Sequence, residues 1–364
     1  MQLMNYQEKQ FIREVLGPIA STAAPDSFDD AVTIDLAELT GQPDAPFLVY
    51  SIDQPSFVRS ADRNLDPFRY YGRWIAGTTC NDVIAMGGRC RGFSLALAAP
   101  LETETSDVQS LVLGITDVLE RCGATYEGGN LDSGQLTTVG LAWGIVARHG
   151  IVRRGGAREG DMIVVTGELG LGWLEYQLRT HGLSDLIDPL DKEAFLRYKE
   201  MPIGAAAAVA AVADKGWFTS GMDLSDGLIE FLYTVQQRSS LGCVIDCAAL
   251  PVSMAVQRNM PLLADIGKGL MDVLHGTPEL IALEPGYDSP LRHAFTVSPA
   301  AVGAAQDVFL AHGASLHVIG EVTQESAVLL RRENSCTEIP AFWDDQLRQE
   351  SPLTAWATFL QAFS

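Results

Sequence analysis

The sequence predicts an α/β protein of two domains. Its 364 residues are long enough for two domains of ordinary size, and 47% of them are hydrophobic, enough to fill real cores. Short apolar runs with strand character alternate with segments of helical periodicity along most of the chain. A turn-rich stretch, Gly155 to Asp161, separates the two series, so we place the domain boundary near residue 150.

Residues 1–150 are predicted to form the first domain. Apolar residues at helical spacing between Phe11 and Ile19 predict an amphipathic helix at its start. The later elements are bounded by Asp, Pro or Gly. The predicted strands are Ala31–Ile34, Phe47–Ile52, Phe93–Ala98 and Thr137–Ala147, and the predicted helices are Tyr70–Met86 and Asp107–Cys122.

Residues 151–335 are predicted to form the second domain, and residues 336–364 a C-terminal tail with a helical segment near its end. The predicted strands are Met162–Thr166, Gly242–Asp246, Leu280–Leu283, Ala294–Val297, Ser315–Ile319 and Ala327–Leu330. The predicted helices are Gly172–Thr180, Glu193–Glu200, Gly204–Ala213 and Pro299–Ala311.

Composition excludes several classes of protein. A net charge of −21 argues against nucleic acid as a partner, because phosphates require a basic surface. No apolar run approaches the roughly 20 residues that a membrane-spanning helix needs, and the polar segment Met1 to Glu14 lacks the apolar core of a signal peptide. We therefore expect a cytoplasmic protein. The six cysteines form no CxxC pair, so we expect reduced, mostly buried thiols rather than a zinc site.

Aspartates occur where predicted strands begin or end. Asp29 and Asp30 precede the first strand, and Asp53 follows the second. Asp82 lies inside an apolar helix, where a carboxylate is costly unless a metal ion or a cation compensates its charge.

Further oxygen ligands follow later in the chain. Asn130 and Asp132 come after a glycine pair, and Asp223 and Asp226 come at a predicted helix start, where helix capping is the simpler explanation for either one alone. Taken together the aspartates predict a magnesium site, because Mg²⁺ is bound by one or two carboxylates together with phosphates. No GxxxxGK[ST] motif occurs, and no GxGxxG follows a strand, so neither a P-loop nor a dinucleotide fold explains the set.

The order of these motifs resembles the aminoimidazole-ribonucleotide-synthetase-like superfamily, and within it the thiamine-monophosphate kinase family. The stretches that carry the resemblance are Phe28–Ala31, Ser51–Asp53, Thr79–Gly88, Gly128–Asn130, Arg153–Gly167 and Asp223–Leu228. It spans roughly residues 26–344, and the last two stretches are the most specific. The resemblance implies ATP and Mg²⁺ as cofactors, a small-molecule acceptor, and a homodimer in which two N-terminal sheets close a shared barrel.

The resemblance also implies roles for single residues. The implied metal ligands are Asp29, Asp30, Ser51, Ile52 (through its backbone), Asp53, Asp82, Asp223 and Asp226, with Asp132 as a substitute for the aspartate that Asn130 replaces. The residues implied to contact the nucleotide are Gly129, Asn130, Arg153 and Ser225. Those implied to take part directly in catalysis are Asp53, Asp82, Arg153 and Asp226, with Arg153 bracing the phosphates opposite the metal ions.

Two departures from the family pattern fall on the acceptor side. The kinase's substrate histidine after Asp53 is missing, and its Gly-Gly-Glu-Asp-Tyr-Glu loop is replaced by His275 to Glu279. We therefore expect a different acceptor. The acceptor-side candidates are Arg59, Arg63, His275, Glu279 and Trp343, the last of which equally fits packing of the tail.

Three functions remain open on the sequence alone. The first is a kinase that transfers the γ-phosphoryl group of ATP, in which positioning and charge do nearly all the work. The second is a synthetase that phosphorylates an amide or carboxyl oxygen before a nucleophile displaces the phosphate. The third is a nucleotide-binding regulator that has lost turnover through Asn130.

Overall fold

A computed structural model describes residues 29–55, 66–199, 205–263, 278–283, 292–333 and 335–341. The predicted N-terminal helix and the helical segment near the end of the chain lie outside these residues. No helix in the described ranges combines the length and the apolar character that crossing a membrane requires.

The first domain is a five-stranded sheet with two long helices on one face. Its elements are β1 (Val32–Asp35), α1 (Leu36–Thr40), β2 (Phe47–Asp53), α2 (Pro67–Ala85), β3 (Arg89–Ala99), α3 (Thr105–Cys122), β4 (Thr125–Ser133) and β5 (Thr137–Val146). The strand order is β1-β2-β5-β3-β4, and the β3–β4 pair is parallel while the other pairs are antiparallel. In β5 every second residue is buried beneath the helices, as expected for a sheet with one covered face.

The second domain contains a mixed seven-stranded sheet in the order β12-β11-β8-β10-β6-β9-β7. Its strands are β6 (Met162–Thr166), β7 (Phe218–Asp223), β8 (Gly242–Asp246), β9 (His293–Val297), β10 (Leu316–Thr323), β11 (Val328–Arg332) and β12 (Ser335–Glu338). Its helices are α4 (Leu171–Thr180), α5 (Lys192–Lys199), α6 (Ala206–Ala213), α7 (Leu228–Ser239), α8 (Met254–Asn259) and α9 (Pro299–Ala311). Strand β12 falls across the predicted start of the tail.

The two domains share a hydrophobic core. One continuous cluster contains the inner side chains of α2 and α3 together with residues of α6, α9 and one face of the second sheet. The other face of that sheet packs against α4 and α7 in a separate cluster. Because α2 is held between the domains, its side chains lie directly against the end of β7.

Several element predictions were wrong for physical reasons. The run Leu280–Leu283 is a turn of 3₁₀-helix, not a strand, and all four residues are fully buried. Periodicity alone cannot separate a short buried helix from a buried strand. The sequence prediction also missed β4 and β7. The glycine pair Gly128 and Gly129 lies within β4, and Asp223 ends β7 rather than starting a helix.

Candidate functional site

Carboxylates from both domains meet where α2, the end of β7 and the segment before β1 come together. Asp223, at the end of β7, is 3% exposed, and its backbone N–H donates to Asp30 Oδ2 at 3.0 Å. Asn81 on α2 donates from Nδ2 to Asp223 Oδ2 at 3.2 Å. The next residue, Asp82, accepts a hydrogen bond from Ser51 Oγ of β2 at 2.5 Å. Four separate chain segments thus converge on one cluster.

Arg154 is the cation of this cluster. Its Nε donates to Asp30 Oδ1 at 2.7 Å, and its Nη2 lies 2.6 Å from the same oxygen. The side chain of Asp30 is only 1% exposed, so this ion pair is largely shielded from water. Asp30, Asp223 and Asp226 together raise the pKa of Arg154 against the opposing effect of its burial, which keeps the guanidinium charged.

The cluster carries more negative charge than Arg154 can balance. Burial, followed by the nearby charges of Asp223 and Asp30, raises the pKa of Asp82 well above its ordinary value. Burial also raises the pKa of Asp223 to about 7, with further contributions from Asp30 and Asp226. Carboxylates that raise one another's pKa values do so by mutual repulsion, and a bound cation would relieve that repulsion.

The remaining predicted residues of this group lie at its margin. Asp53 ends β2 half-buried and contributes to raising the pKa of Asp82. Ser225 Oγ donates to Asp223 Oδ1 at 3.0 Å, and Asp226 is half-buried close enough to act on Asp223. The side chain of Ile52 is 60% exposed and points away from the cluster, so Ile52 would offer only its backbone.

Asn130 and Asp132 lie elsewhere on the first sheet. Both are exposed on the edge strand β4, and the described residues show no hydrogen bond from either side chain to the cluster. Asp53 pairs with Gly140, Gly140 with Leu95, and Leu95 with Gly129. Three strand spacings therefore separate Asp53 from Gly129, about 14 Å along the sheet.

Gly129 is held against the neighbouring strand. A Cβ atom at this position would lie 1.7 Å from the carbonyl oxygen of Leu95, so no other residue fits without moving β4. The register of β3 and β4 shifts between Phe93 and Leu95, at the level of the glycine pair. The glycines therefore set the path of β4 and the position of Asn130.

The structure favours Arg154 over Arg153 as the family's arginine. The side chain of Arg153 pairs with Asp29 at 3.0 Å, and Asp29 also accepts from the backbone N–H of Arg154. The family pattern that the stretch Arg153–Gly167 resembles begins with Arg-x-Gly-Ala, and its Gly-Ala pair corresponds to Gly156-Ala157, which places the arginine of the pattern at Arg154, one residue after Arg153. Asp29 is thereby paired with Arg153 beside the cluster.

Sequence reasoning missed two members of the cluster, Asn81 and Arg154. Asn81 is fully buried and adjacent to Asp82, and its Oδ1 has no hydrogen-bond partner among the described residues. A buried amide inside an apolar helix was the signal that would have found it. For Arg154, a strict count of the motif spacing would have sufficed.

The acceptor side lies almost wholly outside the described residues. Arg59, Arg63, His275 and Trp343 belong to segments that the structure does not describe, as does the side chain of Glu279. The backbone of Glu279 lies in the 3₁₀ turn Pro278–Leu283. Their predicted roles therefore stay predictions.

The donor set fits magnesium. Mg²⁺ requires hard oxygen ligands, and the side-chain groups that converge here are carboxylates, a hydroxyl and an amide oxygen. Asp30 is paired with Arg154, and Asp53, Asp82, Asp223 and Asp226 add four more carboxylates around that one ion pair, a set of hard ligands that suits divalent ions. These four residues would hold the metal.

Comparison with known proteins identifies the family. The model of "AIR synthase related protein, N-terminal domain" matches residues 28–146, and that of the corresponding C-terminal domain matches residues 158–331. The thiamine-monophosphate kinase of Halobacterium salinarum is 32% identical over 67% of this chain and 74% of its own length. That of Methanospirillum hungatei is also 32% identical, over 56% of this chain and 63% of the relative, just under two thirds of its length.

Solved structures share the fold. A chain described as "AaThiL complexed with AMPPCP and TMP" superposes with a TM-score of 0.73 at 20% identity, covering 94% of this chain and 98% of that one. The relatives confirm the predicted resemblance, and their names are those of kinases. The chain belongs to the AIR synthase related family.

Proposed function

We propose that this protein is a magnesium-dependent enzyme that transfers the γ-phosphoryl group of ATP to a small-molecule acceptor. The observation that carries the proposal is the cluster of Asp30, Asp82 and Asp223, drawn from both domains around Arg154. Such an excess of oxygen ligands beside a single guanidinium suits a metal-bound triphosphate. The kinase names of the relatives and the AMPPCP complex of a protein with the same fold support the same choice of nucleotide.

The residues divide into metal ligands and residues that orient them. Bound Mg²⁺ would join the carboxylates to the phosphates and offset the charge that develops during transfer. Ser51 holds Asp82 and Asn81 holds Asp223 through single hydrogen bonds, which fixes both carboxylates before the nucleotide arrives. Because these hydrogen bonds already order the carboxylates, no further ordering of the metal ligands is needed during the reaction.

Arg154 is proposed to contact the phosphates. A guanidinium has five N–H donors, and the bonds to Asp30 come from Nε and Nη2 along one edge. The other edge is suited to phosphate oxygens, and the side chain of Arg154 remains 26% exposed. Arg154 thus takes the role first assigned to Arg153, while Arg153 and Asp29 form a pair beside the site.

Asn130 is proposed to contact the nucleotide at a point distant from Asp53. The separation of about 14 Å along the sheet is too large for the two to share one metal ion, since Mg–O bonds are about 2 Å long. Asn130 and Asp132 lie two residues apart on β4, on the same side of the strand. Asp132 is therefore closer than Asp53 to any metal ion bound beside Asn130.

The acceptor is proposed to differ from thiamine monophosphate. The family elements that would recognise that compound are replaced in the sequence around Phe57–Ser60 and His275–Glu279. Arg59, Arg63, His275, Glu279 and Trp343 remain the candidates for acceptor contacts.

The open face of the first sheet supports a homodimer. In β5 four of the five half-exposed residues on this face are apolar, and Ile52 of β2 beside them is 60% exposed. Tyr50 pairs with Trp143 and Ile52 with Leu141 across the β2–β5 ladder. An apolar sheet face of this kind is typical of an interface. We propose that it packs on a second copy and that the two sheets close a shared barrel.

The domain assignment completes the proposal. Residues 1–150 would bind the metal–nucleotide complex and form the dimer. The second domain, predicted as residues 151–335 and extended by β12 to Glu338, would supply Arg154 and the ligands Asp223 and Asp226, and the residues after it would form the tail. The ends of the family matches, at residues 146 and 158, support a boundary near 150.

Calorimetric titration of ATP in Mg²⁺ tests the nucleotide site. The wild type should bind ATP only when Mg²⁺ is present, and Asp82→Asn should weaken that binding by at least about tenfold. Asp307→Asn, an exposed aspartate on α9, is the matched control and should bind as the wild type does. Equal, metal-independent binding by all three proteins would refute the proposal.

A further inference from the structure

Three cysteines that are far apart in sequence meet in the first domain. Cys80 of α2, Cys90 of β3 and Cys122 at the end of α3 have their sulfur atoms within 4.8 Å of one another. Cys80 is fully buried, Cys90 is 3% exposed, and Cys122 is half-buried. All three are free thiols. The spacing of 10 and 32 residues matches no zinc motif, which is why the sequence favoured unconnected buried thiols.

We propose that Cys80, Cys90 and Cys122 form a binding site for one thiophilic divalent cation, of the chemical class of zinc and cadmium. Thiolate sulfur is the preferred ligand of such ions, whereas magnesium prefers oxygen. The site is therefore chemically distinct from the carboxylate cluster, although α2 contributes residues to both.

The geometry suits a metal–thiolate centre. A zinc–sulfur bond of about 2.3 Å in tetrahedral coordination places the sulfur atoms about 3.8 Å apart. Sulfur atoms that already lie within 4.8 Å reach this spacing through shifts of about an ångström. Cys122, the last residue of α3, is the half-buried member of the three, so we place a water molecule at the fourth position on its side.

The charge balance favours a divalent ion. Binding converts three thiols to thiolates, forms three metal–sulfur bonds and releases three protons to water. The three thiolates and a divalent ion leave one negative charge. Hydrogen bonds with Cys80 and Cys90, and after them the positive charge of Arg121 next to Cys122 on α3, lower the pKa of the Cys122 thiol, so Arg121 lies close enough to offset part of what remains. A monovalent ion would leave a second buried negative charge without a counterpart.

Cadmium provides the test, because its thiolate complexes absorb in the ultraviolet by charge transfer. The full chain is titrated with Cd²⁺ in excess Mg²⁺, which keeps the carboxylate cluster occupied. We expect one Cd²⁺ per chain with a thiolate absorption band, and about a 100-fold loss of affinity in Cys122→Ser. Cys336→Ser removes an exposed cysteine outside the site and should leave binding unchanged.

A thiol-reactivity measurement on the wild type tests the site without relying on a variant that could misfold. In the wild type, one equivalent of Cd²⁺ should protect the half-buried Cys122 from a disulfide-exchange reagent, while the exposed Cys336 still reacts and the circular dichroism spectrum stays constant. Absence of a charge-transfer band, binding that survives in Cys122→Ser, or a disulfide among the three cysteines with no metal uptake would each overturn the proposal.

Discussion

Replacing Asp223 by asparagine should stabilise the metal-free protein at alkaline pH. Burial and the charges of Asp30 and Asp226 raise the pKa of Asp223 to about 7, from an ordinary value of 3.8. A carboxyl whose folded pKa is raised stabilises the fold below its unfolded pKa, and that stability is lost as pH rises through the folded pKa. The wild type therefore bears the full penalty of ionised Asp223 at pH 8 and only part of it at pH 5.

The size of the effect follows from the pKa difference. About three pKa units at about 1.4 kcal/mol each give a ceiling of about 4 kcal/mol at pH 8. The amide keeps the size of the side chain but cannot accept at both of its terminal atoms, as Asp223 does from Asn81 and Ser225. We therefore expect a net gain of about 1–3 kcal/mol in the free energy of unfolding at pH 8. The gain should be smaller at pH 5 by about 2–3 kcal/mol.

Urea unfolding in the presence of EDTA at both pH values measures this gain. Asp191→Asn is the matched control, because Asp191 is also buried but is paired with Arg258, whose Nε lies 2.9 Å from Asp191 Oδ2. This pairing lowers the pKa of Asp191, so its removal should reduce stability at both pH values. A loss of stability in Asp223→Asn at pH 8, or a gain equal at the two pH values, would refute the reasoning.

Three further predictions concern the nucleotide, the acceptor and the dimer. Asn130→Asp adds a hard anionic ligand and should lower the Mg²⁺ concentration for half-maximal ATP turnover. An unchanged or higher Mg²⁺ concentration would indicate that Asp132 already provides the metal ligand there. Thiamine monophosphate should be a poor acceptor, which efficient formation of thiamine diphosphate would contradict. Leu141→Glu places a charge beside Ile52 on the open sheet face and should give monomers in light scattering, whereas an unaltered dimer would place the interface elsewhere.

Much of the fold was predictable from local pattern. Strands with one covered face and helices ended by glycine were found to within a few residues, as with the helix Thr105–Cys122, which ends at Gly123. Strand β4 was missed because it lies at a sheet edge, where few residues are buried and no apolar alternation develops. The run Leu280–Leu283 was misassigned because its four residues are apolar and fully buried, a pattern that a short buried helix shares with a buried strand.

The aspartates of the site were predictable, but their partners were not. The order of the motifs predicted Asp30, Asp82 and Asp223, because aspartate is itself the residue type that binds magnesium. The bonds from Asn81 and Arg154 to these carboxylates span 142 and 124 residues of sequence, and no local pattern reports contacts of that kind. The meeting of the three cysteines arises in the same way, from packing of α2 and α3 on β3.

The central claim is tested most directly by following the γ-phosphate of ATP. The full chain is incubated with Mg²⁺, ATP labelled in the γ-phosphate and a panel of small-molecule acceptors, and the nucleotide and labelled products are separated. The proposal predicts ADP together with the label on one acceptor, and loss of both in Asp82→Asn. ADP with free labelled phosphate and a condensed product would indicate a synthetase instead. Tight binding of ATP with no turnover on any acceptor would contradict the claim that this protein is a phosphotransferase.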